Sequence, residues 1–268
     1  GVFPSFSLGW VTSKENFWPA QNVVDFLKIR GGYGVVGNDN IRDFGYAPII
    51  GGGRNYQLGT GENYQVGYSP NSLPNKDLRW EQTSQTNVGF EASIFRDFTL
   101  SFDWYKKVTS GILQPLRIPI YVGVVDAPVA NVADMQNTGL ELELGYRKVV
   151  GDWTLSANAN VSHIKNEVTD LGPGKTYVSD GQQTFQSSSW PLTRTALGQP
   201  FGAFYGFRTN GIFQNQADVD AYVNKEGKKI QPDAAPGDFR WVDVNGDGQI
   251  NENDRDFIGN PTPTWTYG

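Results

Sequence analysis

Apolar and polar residues alternate along much of this chain. In four segments an apolar side chain stands at every second position, and polar or small residues lie between. The apolar positions are Val88, Phe90, Ala92 and Ile94; Phe98, Leu100, Phe102 and Trp104; Leu140, Leu142, Leu144 and Tyr146; and Trp153, Leu155, Ala157, Ala159 and Val161. Successive side chains of a strand point to opposite faces, so each segment predicts a β-strand with one apolar and one polar face.

Short and long connections alternate between the predicted strands. The strands are residues 5–10, 26–35, 83–95, 98–108, 138–147 and 152–162, and a seventh begins at Thr264. Tight turns at Arg96-Asp97 and at residues 148–151 alternate with long connections at 36–82, 106–137 and 162–263. Periplasmic turns and large extracellular loops give a transmembrane β-barrel this pattern. Residues 201–213 also alternate, but as a lone barrel strand they would reverse the topology, so we place them in the last loop.

We therefore predict an all-β fold, an antiparallel transmembrane β-barrel segment with long extracellular loops. Residues 1–268 belong to one barrel domain, and residues 164–263 form a long extracellular loop region. Six complete strands cannot close even an eight-stranded barrel, so the chain is expected to be a fragment. In this fold Leu100, Phe102, Leu142, Leu144 and Leu155 face lipid, while Ser101, Asp103, Glu141, Glu143 and Ser156 face the lumen.

Composition excludes several other classes of protein. No stretch approaches the 18 apolar residues of a membrane-spanning helix, and the absence of cysteine excludes disulfides and thiol chemistry. The formal charge of −6 argues against nucleic acid as a partner, because nucleic-acid binding needs a basic surface. No signal peptide is visible, which agrees with an internal fragment of a longer polypeptide.

The clearest chemical motif is DVNGDGQINEND at residues 243–254. It fits the calcium-loop pattern D-x-[DN]-x-[DN]-G, and calcium takes six to eight oxygen ligands. The predicted ligands are the side chains of Asp243, Asn245, Asp247 and Asp254 and the backbone carbonyl of Gln249. Asp replaces the usual Glu at the twelfth position and no helices flank the loop, so the ion would be structural rather than regulatory. The alternative is a solvated Asn/Asp/Gly turn without metal.

No other residues form a catalytic pattern. His163 is the only histidine, and without a second histidine or a cysteine it cannot make a zinc site, so an interfacial polar role is the better interpretation. Glu141 and Glu143 could form an acid–base pair, but in a barrel they would point into a wet lumen. We predict that the chain is not an enzyme. Aromatic residues in the long connections could stack on ligands or pack the loops together: Tyr121, Tyr177, Phe185 and Trp190.

Several segments resemble the SusC/RagA family of TonB-dependent outer-membrane transporters. They are FPSFSLGW (3–10), LKIRGGYG (27–34), NKDLRWEQT (75–83), NTGLEL (137–142), GQPFG (198–202), NGIFQ (210–214), PGDFR (236–240), DVNGDG (243–248) and IGNP (258–261). Their order and spacing span essentially the whole chain. The resemblance implies an internal to C-terminal fragment of a 22-stranded barrel in the outer membrane of a Gram-negative bacterium.

The resemblance also implies a function and partners. Such transporters import oligosaccharides or peptides together with a SusD-like surface lipoprotein. The TonB–ExbB–ExbD machinery supplies the energy through an N-terminal part that this sequence does not contain. Two alternatives stay open at this stage. One is a passive porin or a structural outer-membrane barrel, and the other is a secreted, calcium-binding, carbohydrate-active β-protein.

Overall fold

The structure is a computed structural model that describes residues 2–18, 23–39, 47–57, 59, 64–115, 128–178 and 191–268. It consists of two compact units. Unit 1 comprises Gly1–Gly174 together with Thr264–Gly268, and unit 2 comprises Lys175–Pro263. Of the loop aromatics singled out above, Tyr121, Phe185 and Trp190 lie outside the described residues.

Strands make up most of both units. A short α-helix, α1 (Gln216–Ala221), and two 3₁₀ turns, Thr12–Lys14 and Glu252–Asp254, complete the described elements. Among the described residues, no helix has the length and apolar character needed to cross a lipid bilayer. The strands are β1 (Ser5–Trp10), β2 (Val24–Asn38), β3 (Ile49–Gly51), β4 (Tyr56–Gln57), β5 (Tyr64–Gln65), β6 (Ser69–Ser72), β7 (Glu81–Ile94), β8 (Phe98–Pro115), β9 (Val129–Val150), β10 (Trp153–Asp170), β11 (Tyr177–Val178), β12 (Thr193–Ala196), β13 (Ala203–Phe207), β14 (Thr209–Ile212), β15 (Phe239–Trp241), β16 (Arg255–Gly259) and β17 (Trp265–Tyr267).

Unit 1 is built on one seven-stranded antiparallel sheet in the order β1-β2-β7-β8-β9-β10-β17. Each strand pairs with the next strand predicted from the sequence, so the predicted chain of six strands and the start of a seventh is confirmed. Two further pairs of short strands, β3–β6 and β4–β5, lie within the first long connection.

The long strands extend well beyond their predicted ends. β8 continues to Pro115 rather than 108, β9 covers Val129–Val150 rather than 138–147, and β10 continues to Asp170 rather than 162. The alternation of apolar residues marks only the part that meets lipid. Beyond it the strict alternation ends, because apolar residues such as Ile112 and Leu113 of β8 and Val129, Ala130 and Val132 of β9 stand irregularly among polar ones. The backbone ladder nevertheless continues, so the pattern predicted strands that are too short and connections that are too long.

Both tight turns differ from the sequence prediction. Ile94 pairs with Phe98, so the first turn has three residues, 95–97, and the predicted two-residue turn Arg96-Asp97 is wrong. Phe95 and Arg96 have φ values of +53° and +61°, the left-handed region that non-glycine residues rarely adopt. The second turn is Gly151-Asp152, because Val150 pairs with Trp153 and Gly151 has φ +62°. It is therefore shorter than the predicted 148–151.

Unit 2 is a folded unit with its own sheets. β11, β12, β13 and β16 form a four-stranded sheet, and β14 pairs with β15. The strands of residues 201–213 therefore belong to unit 2 and not to the seven-stranded sheet, as the topology argument predicted. Phe213 and Val219 are almost fully buried in this unit, and the Phe213 and Tyr222 ring centroids lie 5.8 Å apart.

Candidate functional site

One face of the seven-stranded sheet is apolar, and we call it the apolar face. The register aligns its side chains in rows across the strands. One row joins Ile29, Phe90, Phe102 and Leu142, and the next joins Leu27, Ala92, Leu100 and Leu144. The leucines of β9 stay open, with Leu140, Leu142 and Leu144 exposed to 42%, 39% and 43%. A face of this size, uncovered in water, indicates a surface that meets lipid or another apolar partner.

Aromatic rings lie towards both ends of the apolar face. Phe98 and Tyr146, near the short turns, have ring centroids 4.8 Å apart. Towards the long connections, the single histidine, His163, lies beside Trp265 at 4.5 Å between ring centroids. Aromatic girdles at the two membrane interfaces are a feature of transmembrane barrels. The arrangement agrees with an interfacial position for His163.

The opposite face, called the polar face here, carries a network of ion pairs. Lys28 and Arg30 of β2 both approach Oε1 of Glu91, with N–O distances of 3.7 Å and 3.4 Å. Arg30 Nη2 also lies 2.5 Å from Oδ2 of Asp103. On the next strand Glu141 is paired with Asp103 and Glu143 with Ser101. Charged groups at this density are stable only on a surface that meets water, so the two faces have different surroundings.

Gly89 makes the Arg30–Asp103 ion pair possible. It lies on β7 between them, because the register pairs Arg30 with Gly89 and Gly89 with Asp103. A Cβ at residue 89 would overlap the Asp103 carboxylate and the Phe102 carbonyl. The missing side chain therefore lets a guanidinium on β2 reach a carboxylate two strands away.

The segment 75–81 is tied to the long-connection end of β8 and β9, and we call this region the rim. The Asn131 side chain donates to the carbonyls of Arg79 and Gly111, both at 2.7 Å, and accepts from the Arg79 N–H at 2.8 Å. Asn75 donates to the Val129 carbonyl at 2.9 Å, and Glu81 accepts from the Leu113 N–H at 2.8 Å. These bonds give the NKDLRWE segment a defined place on the two strands.

The loop at residues 243–254 in unit 2 coils around its own carboxylates. Oδ1 of Asp243 accepts from the N–H groups of Gly246 and Asp247 at 2.7 Å and 3.2 Å, and Oδ2 accepts from the Gly248 N–H at 2.7 Å. Gly246 and Gly248 have φ values of +74° and +81°, which suit glycine. The turn is thus built from backbone donors that face inward toward the first aspartate.

Asp254 closes the loop from the other end. It is fully buried, and its Oδ1 accepts from the Val244 N–H at 2.9 Å while its Oδ2 accepts from the Asn251 N–H at 2.8 Å. Asn251 caps the 3₁₀ turn Glu252–Asp254, forming a reciprocal capping box with Asp254. The twelfth residue of the motif therefore holds its first and last turns together.

Asp247 lies on the exposed side of the loop. Its carboxylate accepts from the Asn251 amide at 3.0 Å, the Gln249 N–H at 2.9 Å and the Asn245 amide at 3.1 Å. These bonds, with that from Asn251 the largest contribution, lower the pKa of the Asp247 carboxyl below its ordinary value. The Asp247 carboxylate therefore stays charged to a lower pH than an ordinary aspartate.

The arrangement fits the oxygen ligands of a calcium ion. One carboxylate oxygen from each of Asp243, Asp247 and Asp254 lies within 4.8 Å of the others. Two ligands of one calcium ion can be up to about 5 Å apart, because each Ca–O bond is 2.3–2.6 Å. The structure thus brings together three of the five predicted ligands. Asn245 and Gln249 lie beside Asp247 through the hydrogen bonds described above.

Two residues near this loop escaped the sequence analysis. Asn251 stands before Asp254 in the pattern of a capping box, and that spacing could have identified it. Asn224 comes from a separate turn of unit 2, where a Cβ on Gly248 would lie 2.6 Å from its Nδ2. No signal near residue 243 in the sequence points to Asn224.

An arginine stack lies in the four-stranded sheet of unit 2. The Arg194 guanidinium carbon is 4.3 Å from the ring centroid of Tyr177 and 3.6 Å from that of Tyr205. Arg255 lies 4.9 Å from the same Tyr205 ring. The Tyr177 ring thus packs on Arg194 within the unit, while 48% of the residue stays exposed.

Known proteins match this chain over almost its full length. The chain is 29% identical over 269 residues to TonB-dependent receptor P3 of Formosa agariphila and 28% identical over 267 residues to TonB-dependent receptor SusC of Bacteroides thetaiotaomicron. These matches cover 99% and 97% of the chain, which spans about a quarter of the length of each relative, 26% and 25%.

Solved structures show the same fold. The RagAB peptide importer matches with a TM-score of 0.69 at 24% identity in its closed-closed state and 0.71 at 22% in its open-open state. Each match covers 99% of this chain and about a quarter of the other, 27% and 26%. The family model for the TonB dependent receptor-like β-barrel matches residues 1–267. The chain therefore belongs to the TonB-dependent receptor family and forms a segment of its β-barrel.

Proposed function

We propose that the chain is part of the wall of an outer-membrane importer that takes up oligosaccharides or peptides by TonB-dependent active transport. The SusC and RagAB relatives motivate this proposal, because one is a TonB-dependent receptor and the other a peptide importer. Energy would come from the TonB–ExbB–ExbD complex through a part of the protein outside this sequence. The family is one of receptors and not of enzymes, and we propose no reaction.

One observation carries the membrane location. The sheet has an apolar face whose leucines remain about 40% exposed and an opposite face covered with ion pairs. In a barrel the first face would meet lipid and the second would line a water-filled lumen. A soluble β-protein would cover such an apolar face with a second sheet or a helix.

Dependence on TonB separates an active importer from a passive porin. Uptake of a labelled oligosaccharide or peptide mixture is measured in cells that produce the full-length protein, with TonB present and depleted. We expect depletion to abolish uptake while the amount of protein in the outer membrane stays constant. Uptake that continues without TonB would show a passive barrel instead.

A SusD-like lipoprotein is the proposed partner at the extracellular side. The rim and the first long connection end there, since tight turns mark the periplasmic side of such barrels. A photo-crosslinker at Lys76 of the full-length protein should capture the lipoprotein in cells. The control position is Arg96 in a short turn, where the same crosslinker should not capture the lipoprotein. Crosslinking from Arg96 alone would reverse the proposed orientation.

We also propose that the loop at residues 243–254 binds one calcium ion through Asp243, Asn245, Asp247, the Gln249 carbonyl and Asp254. The convergence of three carboxylates on one point supports it, because their mutual repulsion falls when a divalent cation lies between them. An extracellular site with a dissociation constant of roughly 10⁻⁴–10⁻³ M would suffice to order the loop.

Terbium luminescence tests the calcium site directly. Terbium(III) is added to the purified full-length protein and excited through tryptophan, and calcium is then titrated to displace it. We expect Asp243→Ala and Asp247→Ala to remove most of the emission, while Asp233→Ala, an exposed aspartate outside the loop, leaves it unchanged. Equal emission from all three variants would contradict the site and would leave the importer proposal intact.

A further inference from the structure

An open groove runs along the apolar face. It is lined by Leu27, Ile29, Val88, Phe90, Phe102 and Trp104 and has a volume of about 630 Å³. Its lining side chains are apolar throughout, and ligand pockets in proteins are typically about 300–1,000 Å³ in volume. The groove is thus large enough to contact part of a hydrocarbon chain.

Two small residues lie in the rows that border the groove. Ala92 stands between Leu27 and Leu100, and Gly31 stands between Leu8 and Val88. Because these two positions lack long side chains, the apolar face is recessed beside the larger residues of β2, β7 and β8. The recess is therefore encoded by the sequence of three adjacent strands.

A polar row lies directly beyond the groove on the same face. The register aligns Tyr33, Thr86 and Lys106 across the strands that form the groove. Lys106 is two residues beyond Trp104, which is about 6.7 Å along the strand. Two strand spacings, about 10 Å, separate Lys106 from Tyr33. The row thus offers two hydroxyls and one ammonium group at the end of an apolar recess.

Lys106 is the uncompensated charge of this row. It is exposed and, within the part of the chain that the structure describes, forms no ion pair. Lys165 lies in the same row, but its Nζ is 2.6 Å from Oε2 of Glu167. An ammonium group at the edge of a lipid-facing surface attracts lipid phosphate.

We propose that the groove and the row Tyr33–Thr86–Lys106 bind one molecule of lipid A from the outer leaflet. An acyl chain would lie in the groove, and a phosphate would meet Lys106 and the two hydroxyls. The row lies toward the long connections, which is the extracellular side in such barrels, and so faces the leaflet in which lipid A resides. The proposal rests on the outer-membrane location argued above.

Co-purified lipid provides the test. The full-length protein is extracted from outer membranes in a mild detergent, and bound lipid A is counted per protein by mass spectrometry. Lys106→Gln should lower bound lipid A about fivefold, as expected for the loss of one lysine near a membrane surface. Ala92→Leu, which fills the recess with an apolar side chain, should lower it as well.

Lys107→Gln is the matched control. Lys107 is also exposed, but it lies on the polar face because it follows Lys106 on the same strand. Binding should be unchanged in this variant. Equal losses of bound lipid A in Lys106→Gln and Lys107→Gln would overturn the proposal. So would a wild-type protein that retains dephosphorylated lipid A or phosphatidylglycerol as well as it retains lipid A.

The outcome is separable from that of the proposed function. A wild-type protein that imports its substrate in a TonB-dependent way but carries no lipid A would refute the lipid site alone. A wild-type protein that carries lipid A but shows no TonB-dependent uptake would refute the importer and leave the lipid site standing.

Discussion

Leu142→Arg tests which solvent each face of the sheet meets. Leu142 lies in the row of Phe102 and Val161, in the middle of the apolar face, and 39% of it is exposed. In the membrane that exposed part would contact hydrocarbon. A lysine or arginine on the lipid face near the bilayer midplane costs about 2–4 kcal/mol.

Glu143→Arg is the control next to it. Glu143 is on the same strand but on the polar face, where it pairs with Ser101 and Asn160. An arginine there would remain in water, so we expect little loss of stability. The two variants place the same side chain one residue apart, on opposite faces of the sheet.

The assay is refolding of the full-length protein into lipid vesicles over a denaturant series. The expected difference between the variants is about 2–4 kcal/mol, or roughly thirtyfold to a thousandfold in the ratio of folded to unfolded protein. Equal stability would refute the assignment of the two faces, and with it the membrane-spanning sheet. A larger loss in Glu143→Arg would mean that the faces are reversed.

Three further variants test individual contacts. Gly89→Ala should break the Arg30–Asp103 ion pair and cost about 1 kcal/mol, because both partners are partly exposed; Asp103→Asn should then cost nothing further in the Gly89→Ala background. Gly248→Ala should destabilise unit 2 more than Gly227→Ala, measured by proteolysis, since both have positive φ but only residue 248 would clash with Asn224. Asn131→Ala should expose the rim to protease near Arg79, and unchanged cleavage would show that its three hydrogen bonds are not needed.

The sequence predicted the order of the long strands because alternation is strongest where one face meets lipid. It could not predict how far β8 and β9 continue, since the neighbouring apolar pairs Ile112-Leu113 and Val129-Ala130 break the alternation there and leave no periodic signal. It also misplaced the turn at Phe95, where two non-glycine residues adopt positive φ. That conformation is imposed by the register of the flanking strands, and no local residue pattern predicts it.

The loop at residues 243–254 was likewise predictable only in part. The motif predicted the convergence of Asp243, Asp247 and Asp254, since alternate positions of a coiling loop point to one centre. Asn224 reaches the loop from elsewhere in unit 2, and only the three-dimensional packing reveals it. Short-range spacing thus identifies candidate ligands, whereas the residues that hold the loop in place come from the fold.

The length of β9 sets the height of the rim. Its 22 residues would extend for about 70 Å, whereas a strand tilted by about 45° needs only 9–11 residues to cross the hydrocarbon layer. The length of the β8–β9 ribbon therefore determines how far the Asn75–Val129 and Arg79–Asn131 hydrogen bonds lie above the lipid. Removing two facing residues from each strand would shorten the ribbon by about 7 Å, lower the rim by about 5 Å at a tilt of about 45°, and keep every side chain on its face. Removing one residue would instead exchange the two faces beyond the deletion, so the height of the rim can change only in steps of two residues.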